Sequence, residues 1–159
     1  MKNIVVILSL LFSVTSFAEQ IPFPKGPERQ VTPGSLCNAP DQRRYPEQIA
    51  YCERHVDTRL KNTIIDTYDR QFGYRIGTMK RGAFKIDHLI PLCAGGSNDV
   101  TNLWPQHESV YKITDPLEPE LCDKMSLGKL KQSDAVRLIL QAKLNLEKAP
   151  EILAYIRSL

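Results

Sequence analysis

The sequence predicts an α+β fold, in which short strands and several helices share one hydrophobic core. Apolar residues recur at spacings of three and four in two long segments, which is the period of an amphipathic helix. Two β-favouring runs, 83–90 and 100–104, flank a loop signal at Gly95–Asp99, as two paired strands do. Helical and strand segments therefore alternate irregularly along the chain.

The first residues are predicted to be a targeting segment followed by an irregular lead-in. Lys2 opens a short basic start, an apolar run fills 4–12, and small residues precede Glu19. This pattern is typical of a secretory signal peptide over 1–18. The apolar run is too short for a comfortable membrane anchor, so we expect no stable membrane association after cleavage. Residues 19–44 are rich in proline, glycine and polar residues and are predicted to be irregular.

Residues 45–159 are predicted to form a single domain, with its core at about 74–125. A first helix is expected from Pro46 to about Tyr68, because apolar residues follow at helical spacing from Ile49 onwards. Short strands are expected around 74–79, 83–90 and 100–104.

The second half of the domain is predicted to be helical. A helix should start near Gln106 or His107, and Pro116 makes it either one broken helix or two short ones. The C-terminal helices are expected within 133–158. Ser133 is a plausible N-cap for a helix of 134–148, which Pro150 would end.

Four cysteines in a chain with a predicted export signal favour disulfide bonds. They allow three pairings, between which the sequence does not decide. We favour Cys37–Cys52, which would tie the irregular segment to the first helix, and Cys93–Cys122, which would clip the loop after residue 90 to a later segment. A four-cysteine zinc site is disfavoured, because the spacings are wide and no C-x-x-C pair is present.

The net charge does not by itself indicate a nucleic-acid partner. The formal charge is +3, and removal of Lys2 with the signal peptide would leave +2. The basic residues are uneven, however, with five of them just before residue 87: Arg70, Arg75, Lys80, Arg81 and Lys85. They fit either a phosphate-binding track or a solvated basic loop, and both alternatives stay open.

The most informative stretch is 87–106. It places an acid, Asp87, beside an imidazole, His88, at the end of an apolar run, and Asn102 follows beyond a glycine turn. An acid and a histidine together can hold one hard metal ion and activate one water, which phosphodiester hydrolysis requires. Because successive strand residues point to opposite faces, the strand must end or twist at this pair if both side chains share a site.

This stretch resembles the core of HNH nucleases, which carry the ββα-metal motif. It is close to small exported proteins that read D-H-x-I-P-L-x-x-G-G-S-N-x-x-x-N-L-W-P-Q, and the close match covers 84–106. The resemblance implies a ββα-metal core with flanking helices, here stapled by two disulfides. It further implies that Asp87 ligates a metal, that His88 is the general base facing the scissile phosphate, and that Asn102 holds the loop and orients His88.

The chain departs from this family at the third motif position. The usual histidine or asparagine is replaced by Tyr111. We therefore expect His107 to be the second metal ligand, with Glu108 and Glu118 as fallbacks. The metal expected is Mg²⁺, with Mn²⁺ and Zn²⁺ as alternatives.

Other residues near the motif have a functional and a structural interpretation. Arg75 is the candidate to neutralise the phosphate in the transition state, and Arg54 and Lys61 are candidates for backbone phosphates. For each of these, a plain surface charge is the alternative. Gly95 and Gly96 are expected to serve the geometry of the turn. Trp104 is expected in the core, although an aromatic beside a groove can also stack on a base.

These features predict an exported HNH endonuclease that hydrolyses DNA with little sequence preference, because no base-reading module accompanies the motif. The expected location is periplasmic or secreted. One alternative is a catalytically inactive periplasmic binding module on the same scaffold, which the irregular third position favours. Another is a nuclease acting mainly on RNA. The residues leave DNA against RNA preference and the oligomeric state open.

Overall fold

The computed structural model describes residues 22–159, so the predicted signal peptide, 1–18, lies outside the described residues. The strands are β1 (Gln42–Arg44), β2 (Ile49–Tyr51), β3 (Phe84–His88) and β4 (Leu103–His107). The helices are α1 (Thr58–Phe72), α2 (Glu108–Thr114), α3 (Leu117–Ser126), α4 (Gln132–Leu144) and α5 (Ala149–Ser158). Short 3₁₀ turns lie at Ile76–Thr78, Arg81–Ala83, Leu92–Ala94, Val100–Asn102 and Leu146–Lys148. The fold is α+β, as predicted.

Two separate antiparallel hairpins make up the sheet structure of the described residues. β1 pairs with β2, and β3 pairs with β4. In the second hairpin Phe84 lies opposite His107 and His88 lies opposite Leu103. Helix α2 begins at the residue after β4. The chain therefore runs strand, loop, strand and helix through the stretch that carries Asp87 and His88.

The predicted first helix from Pro46 is wrong in its first half. Residues 42–51 form the β1–β2 hairpin, whose connection places Tyr45 and Gln48 at positive φ, 65° and 56°. Helix α1 begins only after Asp57, whose carboxylate accepts the Leu60 N–H at 2.7 Å. The apolar spacing that suggested one long helix has two separate causes. Ile49 lies in the hairpin and is buried there, whereas the apolar stripe of a helix lies within α1.

Three further predicted features differ from the structure. The strand expected around 74–79 is a 3₁₀ turn, because the Asp69 carboxylate accepts the N–H groups of Ile76 and Gly77, both at 2.8 Å. Helix α4 has Lys131 at its N-cap, so Ser133 lies inside it. Pro150 does not end a helix but occupies the first turn of α5, where its missing N–H costs nothing.

The core has two parts that meet at Leu140. Helices α3, α4 and α5 enclose one cluster together with Ile49 and Ile90. Helix α1 packs on the β3–β4 hairpin in the other, around the fully buried Trp104. Trp104 is thus a core residue, as expected. The β3–β4 hairpin belongs to the second cluster, and Ile90 just after β3 belongs to the first.

Both predicted disulfides are present. Cys37 is bonded to Cys52 and Cys93 to Cys122, with Cα–Cα distances of 5.7 and 5.8 Å. Two disulfides indicate an oxidising, extracellular-type environment for the folded protein. Among residues 22–159, no helix combines the length and the apolar character needed to cross a bilayer.

Candidate active site

Asp87 and His88 line one cleft, because β3 ends at His88. The cleft has a volume of about 260 Å³. Its walls are formed by Arg44, Tyr51, Arg54, Asp87, His88, Pro91, Leu92, Cys93, Glu118 and Cys122. The end of the strand resolves the conflict between strand alternation and a shared site. The lining includes two arginines and two carboxylates.

Asn102 holds the loop that follows β3. Its side chain is fully buried, accepts the Ile90 N–H at 2.9 Å, and donates to the carbonyls of Ile90 and Ser97 at 3.0 and 2.9 Å. Gly96 lies against this network, and a Cβ there would meet the Ile90 carbonyl oxygen at 1.9 Å. Asn102 therefore fixes the backbone two residues beyond His88 without contacting its ring.

The His88 ring is held by two other side chains. Nδ1 lies 3.2 Å from Arg54 Nη1, and Nε2 lies 3.1 Å from Asn98 Oδ1. Asn98 also accepts the His55 N–H and donates to the Glu53 carbonyl, so its amide orientation is determined by backbone groups. Because Asn98 presents an acceptor to the ring, Nε2 carries the proton and Nδ1 carries the lone pair.

His88 is neutral at neutral pH. Its residue is only 4% exposed, and this burial lowers the pKa of His88 to about 4, with the Arg54 charge acting in the same direction. The hydrogen bond to Asn98 opposes the shift. The neutral imidazole has the protonation state that a general base requires.

A buried ammonium contacts both carboxylates of the cleft, Asp87 and Glu118. Lys143, from α4, is fully buried and donates to Asp87 Oδ2 at 2.8 Å, Glu118 Oε1 at 2.7 Å and the His88 carbonyl at 2.6 Å. Three acceptors satisfy all three protons of the ammonium. Each of the two carboxylates therefore gives one oxygen to Lys143.

The protonation states of this network follow from its charges. Burial alone would raise the pKa of Asp87, but Lys143 and Lys85 outweigh it and hold that pKa below its ordinary value. Burial, opposed by Lys143 and reinforced by Asp87, raises the pKa of Glu118. Burial would lower the pKa of Lys143, but the two carboxylates raise it instead. Asp87 is thus ionised and Lys143 charged at neutral pH.

A second ammonium contacts Asp87 from the more exposed side. Lys85 Nζ lies 3.3 Å from Asp87 Oδ1 and pairs with Asp115. The Lys85 side chain is 35% exposed, against 0% for Lys143. The contact with Lys85 is therefore the one that solvent can replace.

The structure does not bring His107 to the cleft. His107 lies opposite Phe84 in the hairpin, three residue pairs from Asp87, which is about 10 Å along a strand. Its Nδ1 accepts the Ser109 N–H at 3.2 Å and caps α2, and its ring stacks on Phe23 at 3.9 Å. Its geometry is that of a helix cap, with Nδ1 used by the first turn of α2 and one ring face stacked on Phe23.

The predicted basic residues are dispersed. Arg75 is exposed beyond the end of α1, where its backbone N–H donates to the Pro22 carbonyl, and it does not line the cleft. Arg70 lies 3.9 Å from Asp66 on α1. Lys61 is also on α1. Arg54 lines the cleft, whereas Lys85 contacts one cleft residue, Asp87, and the others stay away from it. Arg54 belongs to the irregular segment before α1 rather than to the helix.

The oxygen atoms beside His88 suit a hard cation. Asp87 and Glu118 line the same cleft, and each has a second oxygen that Lys143 does not use. Mg²⁺ is commonly held by one or two carboxylates, with water and substrate phosphate completing its shell. Within residues 22–159 no set of three or more His, Cys, Asp or Glu side chains is grouped for a metal. Carboxylate oxygens are ligands that suit Mg²⁺ and Mn²⁺.

Comparison with known proteins gives no relative for this site. No family model, no curated protein and no solved structure matches the chain.

Sequence reasoning missed Lys143 and the contact between Asn98 and His88. Lys143 had a signal, because it follows Ile139 by one helical turn and lies on the apolar stripe of α4. A lysine on a buried helix face needs a charged partner. Asn98 was part of the glycine loop motif, but nothing in its spacing distinguished a contact with the ring from an ordinary turn residue.

Proposed function

We propose that the protein is a metal-dependent endonuclease of the HNH type, which hydrolyses phosphodiester bonds of DNA with little sequence preference in the periplasm or outside the cell. The observation that carries this proposal is the neutral His88 imidazole beside two cleft carboxylates. Its Nδ1 lone pair faces the arginine side of the cleft, and Asp87 is ionised next to it. The motif resemblance over 84–106 supports the same conclusion.

Each cleft residue has a role in this proposal. His88 Nδ1 takes a proton from the attacking water, and the hydrogen bond from Nε2 to Asn98 keeps the ring in position. Asp87 and Glu118 would hold the metal ion, which when bound supplies charge neutralisation at the phosphate and at the leaving oxygen. Asn102 is a positioning residue, since it acts through the Ile90 backbone. Arg54 is the cleft cation that contacts the His88 ring.

Glu118 replaces His107 in the proposed metal site. Glu118 shares the cleft and the Lys143 ammonium with Asp87, whereas His107 caps α2 at the far end of the hairpin. Arg75 likewise has no place in the proposed mechanism, because it is not a cleft residue.

The test is cleavage of supercoiled plasmid by the oxidised protein, with EDTA, Mg²⁺ or Mn²⁺. We expect metal-dependent nicking that His88→Ala abolishes. His55→Ala is the matched control, because His55 is exposed and contacts Asn98 only through its backbone N–H. Single-stranded RNA is assayed in parallel, and faster RNA cleavage would make RNA the substrate. Full activity of His88→Ala would refute His88 as the base.

A second candidate function is nucleic-acid binding without turnover. The favouring observation is that Arg54 occupies Nδ1 of His88 while Lys143 and Lys85 engage both oxygens of Asp87. A folded protein that binds oligonucleotide and cleaves neither DNA nor RNA with any of these metals would support this candidate over the nuclease.

A further inference from the structure

Arg54 covers the one nitrogen of His88 that can accept a proton. Its Nη1 lies 3.2 Å from His88 Nδ1, and its Nη2 donates to the Ile86 carbonyl at 3.1 Å. A guanidinium has only donors and stays protonated, so Nδ1 must be the acceptor of this contact. The amide of Asn98 independently assigns the ring proton to Nε2. An attacking water cannot use Nδ1 while Arg54 is there.

The contact is built so that Arg54 can leave. Arg54 is exposed and belongs to the irregular segment between Cys52 and α1. Its two partners, an imidazole nitrogen and a peptide carbonyl, are both neutral acceptors. A phosphodiester offers the same guanidinium two oxygens that share one negative charge and match its fork. Such charge-assisted hydrogen bonds are roughly twice as strong as neutral ones.

A phosphate that enters the cleft also needs a cation near His88. Asp87 and Glu118 line the same cleft, and carboxylates repel an approaching phosphate. The other arginine of the cleft, Arg44, lies over the Tyr51 ring at 3.2 Å and has no contact with His88. Arg54 is therefore the cleft arginine that contacts His88, the proposed base.

We propose that Arg54 is the phosphate-binding residue of this cleft, and that phosphate binding draws its guanidinium away from His88 Nδ1 and so uncovers the base. Substrate would thus switch on its own general base, and an empty cleft would keep the base masked. The role of His88 as base rests on the proposed function, whereas the masking contact and the phosphate contact do not.

The first measurement is the reactivity of His88 towards diethyl pyrocarbonate, which acylates unprotonated imidazole nitrogens, mapped by peptide mass spectrometry. The chain has three histidines, so His55 and His107 serve as internal references. We expect His88 to react slowly in the wild type and at least about tenfold faster in Arg54→Ala, the lower range for losing a hydrogen bond from a charged group. Arg43→Ala is the matched control, because within residues 22–159 the Arg43 side chain donates to the Gln48 carbonyl of the β1–β2 hairpin and does not line the cleft.

The second measurement is binding of a fluorescent eight-nucleotide single-stranded DNA in EDTA, by anisotropy. Arg54→Ala should weaken binding about tenfold or more, and Arg54→Lys should restore part of it, since lysine keeps the charge but not the fork. Arg43→Ala controls for the loss of one positive charge.

Unchanged His88 reactivity in Arg54→Ala, or oligonucleotide affinity equal to that of Arg43→Ala, overturns the proposal. These outcomes are independent of turnover. A protein that shows both effects and cleaves nothing would retain the Arg54 proposal and lose the nuclease. A protein that cleaves plasmid and shows neither effect would do the reverse.

Discussion

Lys143 Nζ lies 2.8 Å from Asp87 Oδ2, and 56 residues separate the two in the chain. The lysine side chain is completely buried and the aspartate side chain is 9% exposed. The same ammonium holds Glu118 and the His88 carbonyl. The charge of the cleft floor is therefore set by a helix that contributes no atom to the motif itself.

Lys143→Met should strongly destabilise the protein. The substitution leaves two carboxylates close together without their buried cation, and breaking a buried pair in this way costs about 3–5 kcal/mol. Lys85→Met is the control, because its half-exposed pairing should contribute no more than about 1 kcal/mol. Urea denaturation gives both values. Equal losses in the two variants would show that Lys143 is not the structural cation of the cleft.

Metal affinity should depend on Glu118 and not on His107. Glu118→Gln removes one of the two cleft carboxylates and should weaken Mn²⁺ binding at least about tenfold. His107→Gln leaves the cleft intact and should bind Mn²⁺ like the wild type, with only the loss of the α2 cap. Titration calorimetry measures both affinities. The opposite order would restore His107 as the ligand.

Because of His88, the stability of the protein should fall as the pH is lowered from about 6.5 to about 4. In this window the unfolded chain binds a proton at His88, with an ordinary pKa of 6.5, while the folded protein does not until its pKa of about 4. Unfolding is therefore favoured as the pH falls, by about 3 kcal/mol at most across the window. In His88→Gln this part of the pH dependence should disappear. Denaturation midpoints at a series of pH values test it, and parallel curves for the two proteins would contradict the pKa shift.

Gly96→Ala should disrupt the loop that Asn102 holds. Its Cβ would meet the Ile90 carbonyl oxygen at 1.9 Å, so the backbone must move, at a cost of about 2 kcal/mol or more. Gly82→Ala is the matched control, since a Cβ there meets nothing within 4 Å and should change stability by less than about 0.5 kcal/mol. Thermal unfolding compares the two. A silent Gly96→Ala would mean that the loop is more adaptable than its contacts indicate.

Loss of the Cys93–Cys122 disulfide should make the position of Glu118 in the cleft less well fixed. Cys122 lies one helical turn after Glu118 on α3, and Cys93 lies in the loop after β3. The Cys93→Ala/Cys122→Ala variant should lose about 3 kcal/mol of stability and should also bind Mn²⁺ more weakly. The Cys37→Ala/Cys52→Ala variant is the comparison, because it should lose stability with less effect on Mn²⁺. Identical metal affinities in the two variants would argue against a role of the Cys93–Cys122 disulfide in the site.

The local parts of the site could be predicted from sequence, and the long-range parts could not. The turn at Gly95–Gly96 and the loop held by Asn102 depend on contacts within about a dozen residues, so their spacing in the chain carries the information. The favoured disulfide pairing is confirmed, although the sequence alone did not decide between three pairings. Lys143 and Arg54 reach the cleft from other segments, and no local pattern states that they meet His88 and Asp87.

The misplaced first helix shows the limit of periodicity. Ile49 and Cys52 match the spacing of a helical stripe. However, Ile49 is buried as part of a hairpin, and Cys52 is bonded to Cys37. Apolar spacing records that residues are buried and not which backbone buries them. The same limit applies to His107, whose position next to a predicted helix suited a ligand as well as the cap that it forms.

The position of Lys143 in the chain also orders the events of synthesis. A nascent chain that has reached Ser126 contains both Asp87 and Glu118 and lacks the ammonium that balances them. At a translation rate of about 5–20 residues per second, the ribosome adds Lys143 roughly 3–11 seconds after Asp87. Until Lys143 is added, the floor of the cleft lacks its buried cation and cannot reach the arrangement of the folded protein. Assembly of the cleft is therefore a late step for the growing polypeptide.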